Sequence, residues 1–226
     1  IFSQSQYRIN VNAINLPIDN KGILAYVNIP DPNPIIGGLG GKYGGHVFLF
    51  SGGFLLAGYA NDTLWANGVA SASLINDYLP GTVNNEPSDP KNIIYVVKKT
   101  DTDFGQSWQD WINAVSLGAD FYDGNNDGLY NPTDLNGNSI WDSSEDKPAL
   151  IGDEMTWCVY NDGVPSNLRK WNDIQPMGIE IQQTTFAWGE NVNDPIDNMI
   201  FVRYKIINKG TVSNKFDDVY FSAWAD

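Results

Sequence analysis

Between positions 123 and 145 the chain sets oxygen-bearing side chains at a spacing that suits a hard cation. Asp123, Asn125 and Asp127 stand at alternate positions, Gly128 supplies a sharp turn, Leu129 offers a carbonyl, and Asp134 follows at the twelfth position. This is the ligand order of an EF-hand-type calcium loop. The order restarts on Asp134 with Asn136, Asn138, the carbonyl of Ile140, Asp142 and Glu145, so the two tandem loops share Asp134. Calcium takes roughly six to eight oxygen ligands in a flexible shell, and few other chemistries need so dense a donor array. The expected cofactor is calcium, held by these ten residues.

The donor chemistry sharpens that expectation. Three Asn side chains replace carboxylates, which lowers ligand charge and points to the weak affinities of extracellular modules, about 10⁻⁴–10⁻³ M. Ser139 stands where the second loop needs a left-handed turn, at a conformational cost that glycine would avoid. Pro132 and Thr133 occupy the place of an exiting EF helix. The loops are therefore expected bare, without the paired helices of a sensor that opens on binding. Asp146, Asp153 and Glu154 are spare carboxylates, free to complete a shell or to face water.

The rest of the chain must position this segment. With 26 Asn, 22 Gly and 12 Pro, it favours turns and short strands over long helices. The predicted fold is mainly β, one β-sandwich-like unit over residues 1–226, with one short helix and a calcium-binding insertion at 120–155. Strands are expected at 7–11, 23–27, 92–98, 157–160 and 199–207, and 219–224 is expected to pair back on the last of these. Residues 46–50 and 54–60, apolar on both faces, read as central strands. The segment 104–118 holds the helix, its apolar face formed by Trp108, Trp111, Ile112 and Val115, with Gly118 ending it.

Charge and residue inventory exclude several functions. Of the net charge of −14, residues 101–162 carry 13 acids against the single base Lys147. No basic stripe exists to displace phosphate counterions, so nucleic acid is not an expected partner. No apolar run is long enough for a transmembrane helix. Cys158 is the only cysteine and reads as a small hydrophobe within a strand. His46, the only histidine, lacks a second ligand for zinc and a nucleophile to serve. Two carboxylates could run glycoside hydrolysis, but the acids here are better explained as calcium ligands. Trp65, Trp171 and Trp188 are the candidates for stacking on sugars. The opening Ile-Phe-Ser-Gln-Ser-Gln reads as the remainder of a removed leader, and the stop after Ala225-Asp226 as a truncation or the edge of the ordered region.

The run from Gly118 to Tyr130, then Glu145-Asp146-Lys147-Pro148, Gly152-Asp153-Glu154 and Trp157 to Asp162, resembles large secreted proteins of Bacteroidetes and Ignavibacteria-like bacteria that carry type IX secretion sorting domains. The segments 50–54, 178–186 and 199–210 are similar to the same group, so the likeness covers about residues 46–226. The loops themselves resemble those of EF-hand, dockerin and thrombospondin type 3 proteins. The resemblance implies an exported, extracellular or cell-surface β-rich protein. The expected function is a calcium-stabilised structural or adhesive component, not an enzyme, whose partners are copies of itself or other surface proteins. The alternative is a glycan-binding, non-catalytic part of a larger extracellular enzyme.

Overall fold

The computed structural model describes residues 5–70, 75–189 and 195–226. The first four residues, read above as part of a processed leader, lie outside that range. Fourteen strands and one α-helix are found among the described residues. The strands are β1 (Gln6–Ile9), β2 (Ile14–Asp19), β3 (Gly41–Tyr43), β4 (His46–Leu49), β5 (Gly52–Ala60), β6 (Thr63–Gly68), β7 (Leu79–Pro80), β8 (Tyr95–Lys98), β9 (Phe121–Tyr122), β10 (Lys147–Pro148), β11 (Glu154–Asn161), β12 (Ile179–Ala187), β13 (Phe201–Asn208) and β14 (Asp217–Ala225). The helix α1 spans Gln106–Ser116.

Two layers of antiparallel strands enclose the main core, as the sandwich expectation required. One layer runs β1-β2-β3-β4, joined through bridges of Leu24 to Ile18 and Gly52 with the sheet β14-β5-β6. The other runs β13-β12-β11, with β8 and β7 in succession along the far edge of β11. Side-chain alternation on β11 explains why it is buried along its whole length. Cys158 and Tyr160 face the sandwich core with Ile18, Phe54, Leu56, Ile179 and Ile181. Met155, Trp157 and Val159 face the other way and pack with Tyr95, Val97 and the α1 residues Trp108, Trp111 and Ala114. A strand covered on both faces reads as a continuous apolar run.

Several expectations are corrected. The strand β14 does not pair with β13; it crosses to the opposite layer and pairs with β5, while β13 pairs with β12. The turn signal at Asn208-Lys209-Gly210 is real, but the chain after it changes sheets. The strand β5 is central as expected, whereas β4 is an exposed strand at the end of its sheet, paired among the described residues with β3. Residues 23–27 form no strand beyond the Leu24 bridges, because Ala25 takes a positive φ of 66°. On α1, Trp108, Trp111 and Ala114 are buried with Val115 packed beside them, and of the expected face only Ile112 is exposed. Gly118 does follow the helix end, at φ 110°. The thiol of Cys158 is buried and burial pushes its pKa up, which fits its reading as a core hydrophobe.

The end of β2 holds a buried acid. Asp19 Oδ1 accepts the N–H groups of Lys21 and Ile23, each at 2.9 Å, yet desolvation raises its pKa to about 6. A carboxyl whose folded pKa is raised stabilises fully below its unfolded value and loses that contribution as pH rises through the folded value. The loss amounts to about 3 kcal/mol at most, taking about 1.36 kcal/mol per pKa unit. Asp19→Asn keeps the acceptor and removes the charge, so it should be the more stable protein in urea at neutral pH. The gap should vanish below about pH 4, where both forms are neutral. Equal midpoints for the two proteins at neutral pH would contradict this account.

Candidate metal centre

The acidic insertion is fastened at its base by β9 and β10, which pair antiparallel through Tyr122 with Lys147 and Phe121 with Pro148. Helix α1 holds its flank. Gln109 Nε2 donates to the Pro132 carbonyl at 3.0 Å, and the Tyr130 hydroxyl donates to the Trp108 carbonyl at 3.1 Å. No helix follows either loop, in keeping with Pro132 and Thr133 at the exit of the first.

Within this frame the two loops repeat one hydrogen-bond pattern. In the first, the Asp127 N–H donates to Asp123 Oδ1 (3.2 Å) and to Asn125 Oδ1 (3.0 Å). Gly128 N–H donates to Asp123 Oδ2 (2.8 Å), and Leu129 N–H to Asp127 Oδ1 (2.8 Å). Eleven residues on, Asn138 N–H donates to Asp134 Oδ1 (3.3 Å) and Asn136 Oδ1 (3.0 Å). Ser139 N–H donates to Asp134 Oδ2 (2.7 Å), and Ile140 N–H to Asn138 Oδ1 (2.7 Å). The fourth and sixth positions are left-handed in both loops, occupied by Asn126 and Gly128 in the first and by Gly137 and Ser139 in the second. At these two positions each loop thus has one glycine and one other residue that adopts the strained conformation. Ser139 does so at φ 60°, the conformation its place in the spacing requires.

Each loop is also closed by hydrogen bonds to a buried acid at its far end. In the second loop, Glu145 accepts the N–H of Leu135, the second residue (2.6 Å), and of Asp142, the ninth (3.0 Å). In the first loop the same two places are Gly124 and Asn131, and their N–H groups donate to Asp146, at 3.0 and 2.7 Å. Asp134, by contrast, makes its hydrogen bonds to the second loop alone. Glu145 and Asp146, adjacent and 1% and 2% exposed, therefore each accept N–H groups of one loop. Spacing within a loop could not find Asp146, because it lies 23 residues from Asp123. The cue in the sequence was the doubled acid ahead of Lys147-Pro148.

The donor set suits calcium. Each loop offers carboxylates, amide oxygens and a seventh-position carbonyl, that of Leu129 or Ile140. A carboxylate has about four lone-pair sites, so those already accepting N–H groups retain capacity for a cation. The Asp134 carboxyl is held below the usual range, first by the Ser139 N–H. Asp142 is lowered by the Ser144 hydroxyl and N–H. Both shifts favour the ionised form that binds metal. Among the described residues no three His, Cys, Asp or Glu side chains converge as an all-carboxylate or imidazole cage. A site here would depend on its Asn and carbonyl oxygens.

The other spare acids are spoken for elsewhere. Asp153 pairs with Lys99 at 3.0 Å and accepts the Gly189 N–H, and buried Glu154 accepts the Tyr7 hydroxyl and lies 3.4 Å from Lys98. Trp65 is a core residue, so it cannot stack on a sugar, whereas Trp171 and Trp188 retain exposure. His46 is exposed on β4. No family model, curated protein or solved structure matches the chain.

Proposed function

We propose that this chain is a non-catalytic, calcium-stapled β-rich protein of the cell surface or extracellular space, with a structural or adhesive role. The observation that carries the calcium reading is the duplicated loop: two segments eleven residues apart repeat the same N–H to carboxylate pattern, each closed by its own buried acid. Calcium would neutralise an insertion whose acids otherwise repel one another. The bare loops have no helix pair to swing open, which favours a staple over a sensor. Location rests on the resemblance to secreted proteins. An assembly role draws support from the outer edges of β13 and β14, which have no strand partner among the described residues. β14 also leaves Val219, Tyr220 and Phe221 exposed, the kind of edge another chain can pair with.

Titration calorimetry with calcium tests the ligand assignment. The parent chain should bind two ions, and Asp127→Ala should bind one. Asp146→Asn should weaken the first site by about tenfold or more and leave the second unchanged, since loss of a coordinating or supporting carboxylate has effects of that size. Two unaltered sites in either variant would refute the assignment.

A further inference from the structure

We propose that the cleft beside the second loop, between Trp141 and Trp188, binds a neutral carbohydrate, with a sugar ring stacked on Trp188. The cleft has a volume of about 410 Å³, and is walled by these two indoles and by Trp108. That volume lies in the range of small-molecule sites. Its polar lining is three lysines and three aspartates, so it carries no net charge. The charges are also locally matched: Lys99 Nζ lies 3.0 Å from Asp153, and Lys147 Nζ rests 3.4 Å from the centre of the Trp141 ring. A polyanion would meet the aspartates and a polycation the lysines. A sugar hydroxyl both donates and accepts, so it can use an ammonium and a carboxylate placed side by side. The C–H face of a pyranose is apolar and lies on indole, which leaves its hydroxyls for the rim.

The walls are fixed before any ligand arrives. Trp141 donates its backbone N–H to Asp103 Oδ2 (2.9 Å) and its Nε1–H to the Glu145 carbonyl (2.8 Å). Trp188 packs edge-on against Phe186 and Phe201, each at 5.6 Å. Rigid aromatic walls lower the ordering cost of binding.

The test titrates the full chain, in calcium-containing buffer, with cellohexaose and mannohexaose, followed by tryptophan fluorescence and calorimetry. Hyaluronan hexasaccharide and hexalysine serve as the charged probes. At least one neutral hexasaccharide should bind at millimolar concentration or below. Trp188→Ala should weaken it by about tenfold, the scale of one lost ring stack. Lys99→Ala, on an exposed side chain, should also weaken binding while the protein melts as before, and so covers the case in which an indole variant fails to fold. The proposal is overturned if neither neutral sugar binds, if a charged probe binds more tightly, or if the folded variants bind as the parent does. None of these readouts involves calcium affinity, so this inference and the calcium reading stand or fall separately.

Discussion

Removing calcium should lower the melting temperature of this protein by roughly 6–20 °C, as calorimetry in calcium and then in a calcium chelator would measure. A ligand that binds only the folded state stabilises it by RT ln(1 + [L]/Kd). With the weak affinity expected of Asn-diluted loops, calcium at 10 to 100 times Kd contributes about 1.4–2.7 kcal/mol per site. Two sites give about 3–5 kcal/mol, and each kcal/mol shifts a chain of this length by about 2–4 °C. The insertion is coupled to the second core through Tyr130, Trp111 and Trp141, so its loosening reaches β8 and β11. Double substitution of Asp123 and Asp134 by Asn should reproduce the chelator's effect and make the melt indifferent to calcium. An unchanged melt under chelation would end the staple reading.

Asp162→Ala is expected to destabilise the fold by about 3–5 kcal/mol, the usual cost of stranding one member of a buried charge pair. The Asp162 carboxylate accepts the N–H groups of Met177 (2.7 Å) and Ile179 (2.9 Å) and the Asn67 amide (3.3 Å). Arg169, with its side chain fully enclosed, approaches the same carboxylate at 4.0 Å and donates to the Asp162 carbonyl at 2.6 Å. Burial raises the pKa of Asp162, with these donors opposing that rise. Truncation leaves a buried guanidinium and two backbone N–H groups short of an acceptor, and the Tyr78 hydroxyl, bonded to Asn67 at 2.7 Å, belongs to the same network. Urea melts check the value, and they should give the same difference in chelator, since no loop residue takes part. Asp162→Asn, which retains an acceptor, should cost less. A loss below about 1 kcal/mol for Asp162→Ala would show that the pair is replaceable.

Local features of this fold could be read from the residues, and pairings between distant segments could not. The helix showed in its Trp108–Trp111 spacing, and the bare loops showed in alternate Asp and Asn with Pro132 at the exit. Strand patterns located β11 and β13 to within a few residues. Partner choice is a different problem: Val219–Trp224 fits either sheet by pattern, and only packing of Phe221 against Phe54 and Tyr204 shows which one it joins. The exposure of β4 likewise follows from its place at a sheet end, which His46–Leu49 does not encode. In the acidic loops, the hydrogen bonds of the regularly spaced Asp and Asn side chains were legible, whereas Asp146 reaches back from beyond the second loop to accept N–H groups of the first. Trp65 looked available for a ligand because solvent exposure is not written in residue type.

The crossing of β14 to β5 also governs when the chain can become itself. Phe54 and Ala223 pair across about 170 residues, a separation of the kind that slows folding because a long loop must close before the contact is rewarded. Until β14 arrives, β5 holds only the β6 side of its ladder, and Phe54 lacks its stacking partner Phe221. A chain emerging residue by residue therefore carries an open seam along β5 until β14 has been made.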